Sequence, residues 1–465
     1  MHGFPRHTTV CALTALALAA VAGNAQASGF QIREQSATAL GNALAGASAG
    51  GASGDVTLAA YNPAVIGFGQ GSEIGLFGSY ISPTFDITDA EASTNSTFGN
   101  VPYSGDPSQD GSTTAFVPSF AARWALDDQW SVGLVVSAPW GLKTEYDRDF
   151  VGRFYAIESD LVTNNINPVV SFNATDRLTL AGGIQAQYAD ATLSNAVDFG
   201  TVGTAVAADP NTPAMLAAAL GAATPGDPNQ EGFAEVTGDD WAFGFNLGLL
   251  FQVSDTTRIG ASYHSEIDHE IEGDVDYESD SDGIRDVLTG ANLFTESGGS
   301  ANISTPATFS TGIVHSLNDR WTLLGEVSWT DWSSFDELRV EFGDDTPDSV
   351  KEEDWEDTYM ISAGAEYALD GRWTLRGGVG FDESPVQDDT RSPRIPDSDR
   401  TWISIGATFA PNERFGITGA FTHVMLDDAS IDLDGEKESN QFRGDLTADT
   451  EGSVDIVAIQ ANWRF

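Results

Sequence analysis

The feature that most constrains this chain is a strand pattern, repeated along it, whose two faces differ in chemical kind. Trp321, Leu323, Val327 and Trp329 fall on one face of a period-two segment, and Thr322, Glu326 and Ser328 fall on the other. Further along, Trp373, Leu375, Val379 and Phe381 oppose Thr374, Arg376 and Asp382. Trp241, Phe243, Phe245, Leu247 and Leu249 oppose Ala242, Gly244, Asn246 and Gly248. Large aromatics outward and small, polar or charged residues inward suit a wall between lipid and a wet lumen. A soluble β-sandwich also alternates, but it would not carry so many large aromatics on its outer face.

Short polar turns separate these strands. They are Leu126-Asp127-Asp128-Gln129-Trp130, Asn173-Ala174-Thr175-Asp176-Arg177-Leu178, Val253-Ser254-Asp255-Thr256-Thr257-Arg258, Leu317-Asn318-Asp319-Arg320-Trp321, Leu369-Asp370-Gly371-Arg372-Trp373 and Pro411-Asn412-Glu413-Arg414-Phe415. Asn, Asp and Gly suit the turn, and the Trp or Phe that follows suits a membrane interface. These six turns on one side separate seven long hairpins, which gives fourteen strands if both barrel ends lie on the short-turn side. After residue 27 no apolar run approaches the roughly 20 residues that a membrane helix needs. Only closure satisfies every strand's backbone in lipid. The fold class is therefore all-β, a 14-stranded antiparallel transmembrane β-barrel over residues 71–465.

Two segments precede the barrel. Arg6, the apolar run from Val10 to Val21 and the small-x-small triplet Ala25-Gln26-Ala27 read as a cleaved secretory signal over residues 1–27. The only cysteine, Cys11, lies within it, which excludes disulfide and Cys-metal chemistry from the mature chain. Residues 28–70 are too rich in Gly and Ala to span a membrane and read as a partly helical hatch that plugs the lumen. Gly41, Ala45, Gly46, Ala49, Gly50 and Gly51 let it fold compactly, Pro63 fixes it where it meets the wall, and its displacement would open a path. A static plug is the competing reading.

The formal net charge of -48 argues against nucleic acid and against anionic head groups as partners. The acidic residues read as solvating long loops, and none of these loops has the regular ligand spacing of a calcium site, so no metal or cofactor is expected. No catalytic constellation stands out. Ser265, His264, Asp268 and His269 share one alternating strand and cannot all face one way, so the chain does not read as an enzyme. Arg443-Gly444-Asp445 reads as a solvated loop.

The third strand, from Trp130 to Lys143, contains Pro139-Trp140-Gly141. Proline cannot donate a ladder hydrogen bond and a glycine within a strand often marks a bulge, so pairing should break there. The neighbouring strand carries Pro118 and the small Ala115. A gap between the two would give apolar solutes a lateral route to the bilayer, and a harmless bulge is the alternative. Apolar residues also cluster in two long acidic loops. Met215, Leu216 and Leu220 lie in one, and Ile284, Val287, Leu288, Leu293 and Phe294 in the other. They mark either a ligand surface or two helices packed on each other. The last strand ends on Phe465, like the signal read by the outer-membrane assembly machinery.

Ser28-Gly29-Phe30-Gln31, Asp55 and Asn62-Pro63-Ala64 resemble the hatch of the FadL-type outer-membrane transporters of long-chain fatty acids and other hydrophobic compounds. The resemblance continues through Gly141-Leu142-Lys143-Thr144-Glu145-Tyr146, Trp241-Ala242-Phe243-Gly244-Phe245-Asn246, Tyr263-His264-Ser265-Glu266 and Ser328-Trp329-Thr330-Asp331-Trp332-Ser333. Phe381-Asp382-Glu383-Ser384-Pro385-Val386, Arg391 and Ile395-Pro396-Asp397-Ser398-Asp399-Arg400 are its most specific parts. It implies a fourteen-stranded monomer in a Gram-negative outer membrane, in contact with its lipid. Ligand would enter a loop groove around Met215, Leu216, Leu220, Ile284, Leu288 and Phe294. A tighter pocket would lie near Phe30 and Ala138, Pro139, Trp140 and Gly141, and a hatch movement would allow sideways exit. Lys351 falls where fatty-acid members carry a lysine. Asp190 stands where they have an arginine, and Arg33 replaces a neutral hatch residue. Long-chain fatty acids are the expected cargo, aromatic hydrocarbons the alternative, and a structural or adhesive acidic barrel the reading from another class.

Overall fold

The computed structural model describes residues 28–69 and 71–465, and the expected signal segment lies outside them. Fourteen antiparallel strands form one continuous sheet. They are β1 (Glu73–Ser93), β2 (Ala115–Ala125), β3 (Trp130–Ser137 and, after a break, Gly141–Glu145), β4 (Glu158–Thr175), β5 (Leu178–Asp198), β6 (Glu231–Ser254) and β7 (Thr257–His264 and Ile267–Glu278). Next come β8 (Ser297–Thr305 and Thr308–Ser316), β9 (Trp321–Thr330 and Glu337–Phe342), β10 (Ser349–Glu352 and Thr358–Ala368), β11 (Trp373–Asp382), β12 (Arg400–Asn412), β13 (Phe415–Leu426 and Ala429–Leu433) and β14 (Asp445–Arg464). The sheet closes because β1 pairs with β14 along its length, from Glu73 opposite Arg464 to Ser93 opposite Asp445. Closure removes the exposed edges that lipid could not satisfy.

Several short turns are built the same way. Asp127 Oδ1 accepts the amides of Gln129 and Trp130 at 2.8 and 2.7 Å. Asn318, Asp370 and Asn412 accept the equivalent pair of amides in their own turns. An acceptor side chain at this position substitutes for a backbone partner and fixes a tight reversal, which sets the register of each hairpin. The faces sort as the alternation requires. Trp241, Phe243, Trp321, Val379, Ile459 and Trp463 are exposed on the outside, while Glu326, Ser328, Arg376, Asp382 and Gln460 are buried within.

What buries them is the N-terminal segment. Its helical turn Ala37–Leu40 packs against β12, β13 and β14, the 3-10 turn Val56–Ala60 against β1, β2 and β3, and the turn Val65–Phe68 against β3, β4 and β5. Asp55 caps the 3-10 turn through the Thr57 amide at 3.1 Å and accepts from Gln460 Nε2 of β14 at 3.1 Å. Asn62 donates to the carbonyls of Leu249 and Ala261 at 3.1 and 3.2 Å and receives the Ala64 amide at 2.9 Å, so it tethers the segment to β6 and β7. Gly248 permits this approach, since a Cβ there would lie 2.1 Å from Asn62 Oδ1. At Asp55 and Asn62 buried polar groups of the segment are matched to partners on the wall, which fixes its position as well as its presence.

At the other end of the barrel, the loop between β5 and β6 forms the helices Phe199–Ala208 and Ala214–Ala219, and the loop after β7 forms the helix Ile284–Thr289. Leu220, Ile284 and Leu288 are buried with Phe199 and Val202, and Phe294 stands edge-on to Phe199 and Tyr277.

Candidate functional site

The wall is interrupted between β2 and β3. The β2–β3 ladder runs from Ala125 opposite Ser131 only as far as Phe120 opposite Val136. Residues 115–119 of β2 pair with β1 on one side, and no ladder joins them to β3 on the other. Strand pairing resumes higher up, where Ser112 bridges Thr144 and the Glu145 amide donates to the Gly111 carbonyl at 3.1 Å. The interval between these joints is a window in an otherwise continuous sheet. Prolines flank it on both strands: Pro139 has no amide to give, and Pro118 has none on the facing strand.

The N-terminal segment fills the inside of this window. The Ile32 amide donates to the Pro139 carbonyl at 2.8 Å, and the Gly141 amide donates to the Phe30 carbonyl at 2.8 Å. Gln35 Nε2 donates to the Ala138 carbonyl at 2.8 Å. Backbone groups that β2 leaves unpaired are thus satisfied by residues 30–35. Phe30 anchors the contact. Its ring lies 5.8 Å from Trp140, 4.8 Å from Trp332, 5.4 Å from Phe335 and 5.7 Å from Trp355. Edge-to-face packing of this kind adds to the area term. Gly29, at φ +59°, has no room for a side chain, because a Cβ would meet Trp332 at 2.8 Å.

Behind the window lies a chamber of about 110 Å³ between the segment and the wall. Ile32, Leu44, Pro139, Trp140 and Met360 supply apolar surface, and Arg33, Tyr61, Asn165, Gln185, His264 and Glu326 supply polar groups. Arg33 is held by Asp382 through Nε at 3.2 Å and Nη2 at 3.1 Å. Asp397 accepts the Gly29 amide at 2.8 Å and pairs with Arg400, so the loop between β11 and β12 grips the segment's start. The neighbouring Glu34 is buried, and burial pushes its carboxyl from 4.5 up to about 7.

Of the residues expected from sequence, Arg33, Pro139 and Trp140 line the chamber. Phe30, Ala138 and Gly141 lie directly beside them, and Ala115 is buried in the unpaired end of β2. Asp55, Asn62, Pro63 and Ala64 hold the segment to β14, β6 and β7, away from the window. In the loops, Met215 is 86% exposed, Leu216 and Phe294 are half-buried, and Leu220, Ile284 and Leu288 form the interior of the helical cluster. Lys351 is buried in the β9–β10 hairpin, where Nζ donates to the carbonyls of Glu352 and Thr390 at 2.6 and 2.8 Å and pairs with Glu353 at 3.7 Å. Trp332, Phe335, Trp355, Tyr61 and Glu34 were missed from sequence. Trp332 and Asp382 do lie in stretches that carry the family resemblance, but nothing local marks the partners they meet across the lumen.

A family model described as outer membrane protein transport protein (OMPP1/FadL/TodX) matches residues 18–465. The chain belongs to that family. It is 28% identical to the long-chain fatty acid transport protein of Escherichia coli strain K12 over 462 residues, with 97% of both chains covered. It is likewise 28% identical to the 47 kDa outer membrane protein of Pasteurella multocida, with 97% of this chain and 98% of that one covered. A solved Pseudomonas aeruginosa FadL homologue superposes with a TM-score of 0.84 at 21% identity, covering 94% of this chain and 100% of the other. The Pseudomonas putida toluene transporter TodX superposes with a TM-score of 0.66 at 18% identity, covering 94% and 100%. This FadL/TodX-family chain is thus a Gram-negative outer-membrane β-barrel, a passive transporter of hydrophobic compounds and not an enzyme.

Proposed function

We propose that the barrel takes up long-chain fatty acids or similar hydrophobic molecules by capture at the helical loops, displacement of the N-terminal hatch, and sideways exit through the window between β2 and β3. The observation that carries this reading is the missing ladder beside residues 115–119, filled from within by residues 30–35. A window lined by Trp140 and Pro139 opens toward hydrocarbon, where an apolar molecule is better solvated than in the aqueous periplasm. The hatch closes it with a few hydrogen bonds and one aromatic anchor, a contact small enough for ligand to displace. The relatives named for fatty-acid transport support the long-chain cargo.

A second reading, a channel for aromatic hydrocarbons, is favoured by size. With the hatch docked the chamber holds about 110 Å³, nearer to a single ring than to a long acyl chain, since apolar cavities of about 150 Å³ take up benzene. The test is uptake of labelled oleate and of a labelled alkylbenzene by cells that lack their own fatty-acid transporter and express this protein. Oleate rescue establishes the first reading and alkylbenzene rescue alone the second. Rescue of neither, with the barrel folded in the outer membrane, rejects both.

A further inference from the structure

Resting on the uptake reading above, we propose that the chamber behind the window accepts the head group of its cargo only in uncharged form, as an alcohol, an amide or a protonated acid. The geometry that carries this is the prior commitment of every charge around the chamber. Among the described residues, Arg33 is the one Lys or Arg that lines it, and Asp382 holds that guanidinium on two nitrogens. The next cation, Arg400, is paired with Asp397. Two guanidiniums therefore face two carboxylates, and the wall adds a third acid, Glu326, which accepts the Ser48 amide at 3.2 Å. His264 spends Nδ1 on Gln185 Oε1 at 2.8 Å, and the Tyr61 hydroxyl donates to the Arg33 carbonyl at 2.7 Å. A carboxylate entering here would meet no uncommitted cation and would lose its water, a combination that favours its neutral form.

The chain carries its own example of that outcome. Glu34 sits beside Arg33 and Arg400, yet burial raises its carboxyl to about 7 against the pull of both, and Glu34 Oε2 has no hydrogen-bond partner among the described residues. What the chamber does offer is an acceptor. Asn165 lines it, is 6% exposed, and its Oδ1 has no hydrogen-bond partner among the described residues. A hydroxyl or a protonated acid can donate to that oxygen, and a carboxylate cannot.

The test uses the intact barrel in detergent at about 1 M salt, where the roughly 3 Å screening length removes the influence of the acidic loops. Binding of 1-decanol and of decanoic acid is followed by quenching of tryptophan fluorescence between about pH 5 and pH 8. Decanol divides out any pH effect on the protein itself. The decanoate-to-decanol affinity ratio should fall about tenfold per pH unit above the acid's own pKa. Asp382→Asn, which frees Arg33, should flatten that fall, with decanol binding as the check that the variant is folded. Asn165→Leu should weaken decanol roughly tenfold through loss of one hydrogen bond. A ratio constant with pH overturns the head-group inference and leaves uptake standing. A ratio that falls equally in Asp382→Asn overturns the role given to the Arg33–Asp382 pair. Binding of neither ligand at any pH overturns the uptake reading itself.

Discussion

The Ile32 amide donates to the carbonyl of Pro139 at 2.8 Å, so a residue of the N-terminal segment supplies the hydrogen bond that the neighbouring wall strand does not. Both sides of this contact follow from one substitution of chemistry: a proline in a strand removes a donor, and its local geometry turns adjacent carbonyls out of the ladder. The same carbonyls that make the window also make a docking site for the segment that covers it. In the proposed mechanism, opening and closing are therefore coupled through one set of backbone groups.

Rebuilding the strand should uncouple them. In Pro139→Val with Gly141→Thr, β3 can continue its ladder with β2 and close the window. We expect a normally folded, heat-modifiable barrel with uptake reduced at least about tenfold, the equivalent of 1.4 kcal/mol. Uptake at the native rate in a folded variant would rule out sideways exit here.

Removal of the Phe30 ring should weaken docking without harming the barrel. Phe30 is 2% exposed among four aromatic rings, and truncation of a buried phenylalanine costs about 3–5 kcal/mol. Few other apolar groups hold residues 28–35, so that loss should appear as faster hydrogen exchange and protease cleavage there. Exchange in β6, none of whose residues belongs to the Phe30 cluster or lines the chamber, should stay unchanged. If protection of residues 28–35 survives Phe30→Ala, the anchor lies elsewhere.

The contrast between barrel and lumen shows where sequence reasoning stops. Alternation fixes which side of the wall each residue faces, and the Asn and Asp turns fix hairpin register, so strand count and outward set were readable one strand at a time. Pro139 announced the break by its own chemistry. Contacts made inside the lumen have no such local trace. Arg33 and Asp382 lie 349 positions apart, and period two says only that Asp382 points inward, without naming what it meets. The Phe30 cage likewise joins rings from four separate stretches. In the loops, the pattern marked a helix near residue 215 but not the longer helix Phe199–Ala208, whose Gly and Thr content hides it.

Lys351 gives a test of loop architecture. Its ammonium holds two carbonyls and the buried Glu353 together, and breaking a buried pair by removing one partner costs about 3–5 kcal/mol. Lys351→Met should raise hydrogen exchange around Thr390 and leave decanol binding in the chamber unchanged. A matching loss of exchange protection at residues 30–35 would instead place Lys351 in the docking of the hatch.

Docking of the segment should also depend on pH through Glu34. In the docked state burial raises its carboxyl to about 7, whereas in a released, hydrated segment it returns toward 4.5. Below 4.5 the group is protonated in both states and has no effect. Between 4.5 and 7 the released state loses its proton first, so docking weakens steadily as pH rises, and above 7 both states are ionised and the loss is complete. The shift corresponds to roughly 3 kcal/mol. Hydrogen exchange at residues 30–35, corrected for its intrinsic pH dependence, should therefore be slower at about pH 5 than at about pH 8. Glu34→Gln, which keeps the shape and removes the titration, should hold the slow rate at both values. If the variant keeps the pH dependence of the native chain, the titrating group is another acid, and Glu326, which lines the same chamber and accepts the Ser48 amide of the segment, is the next to replace.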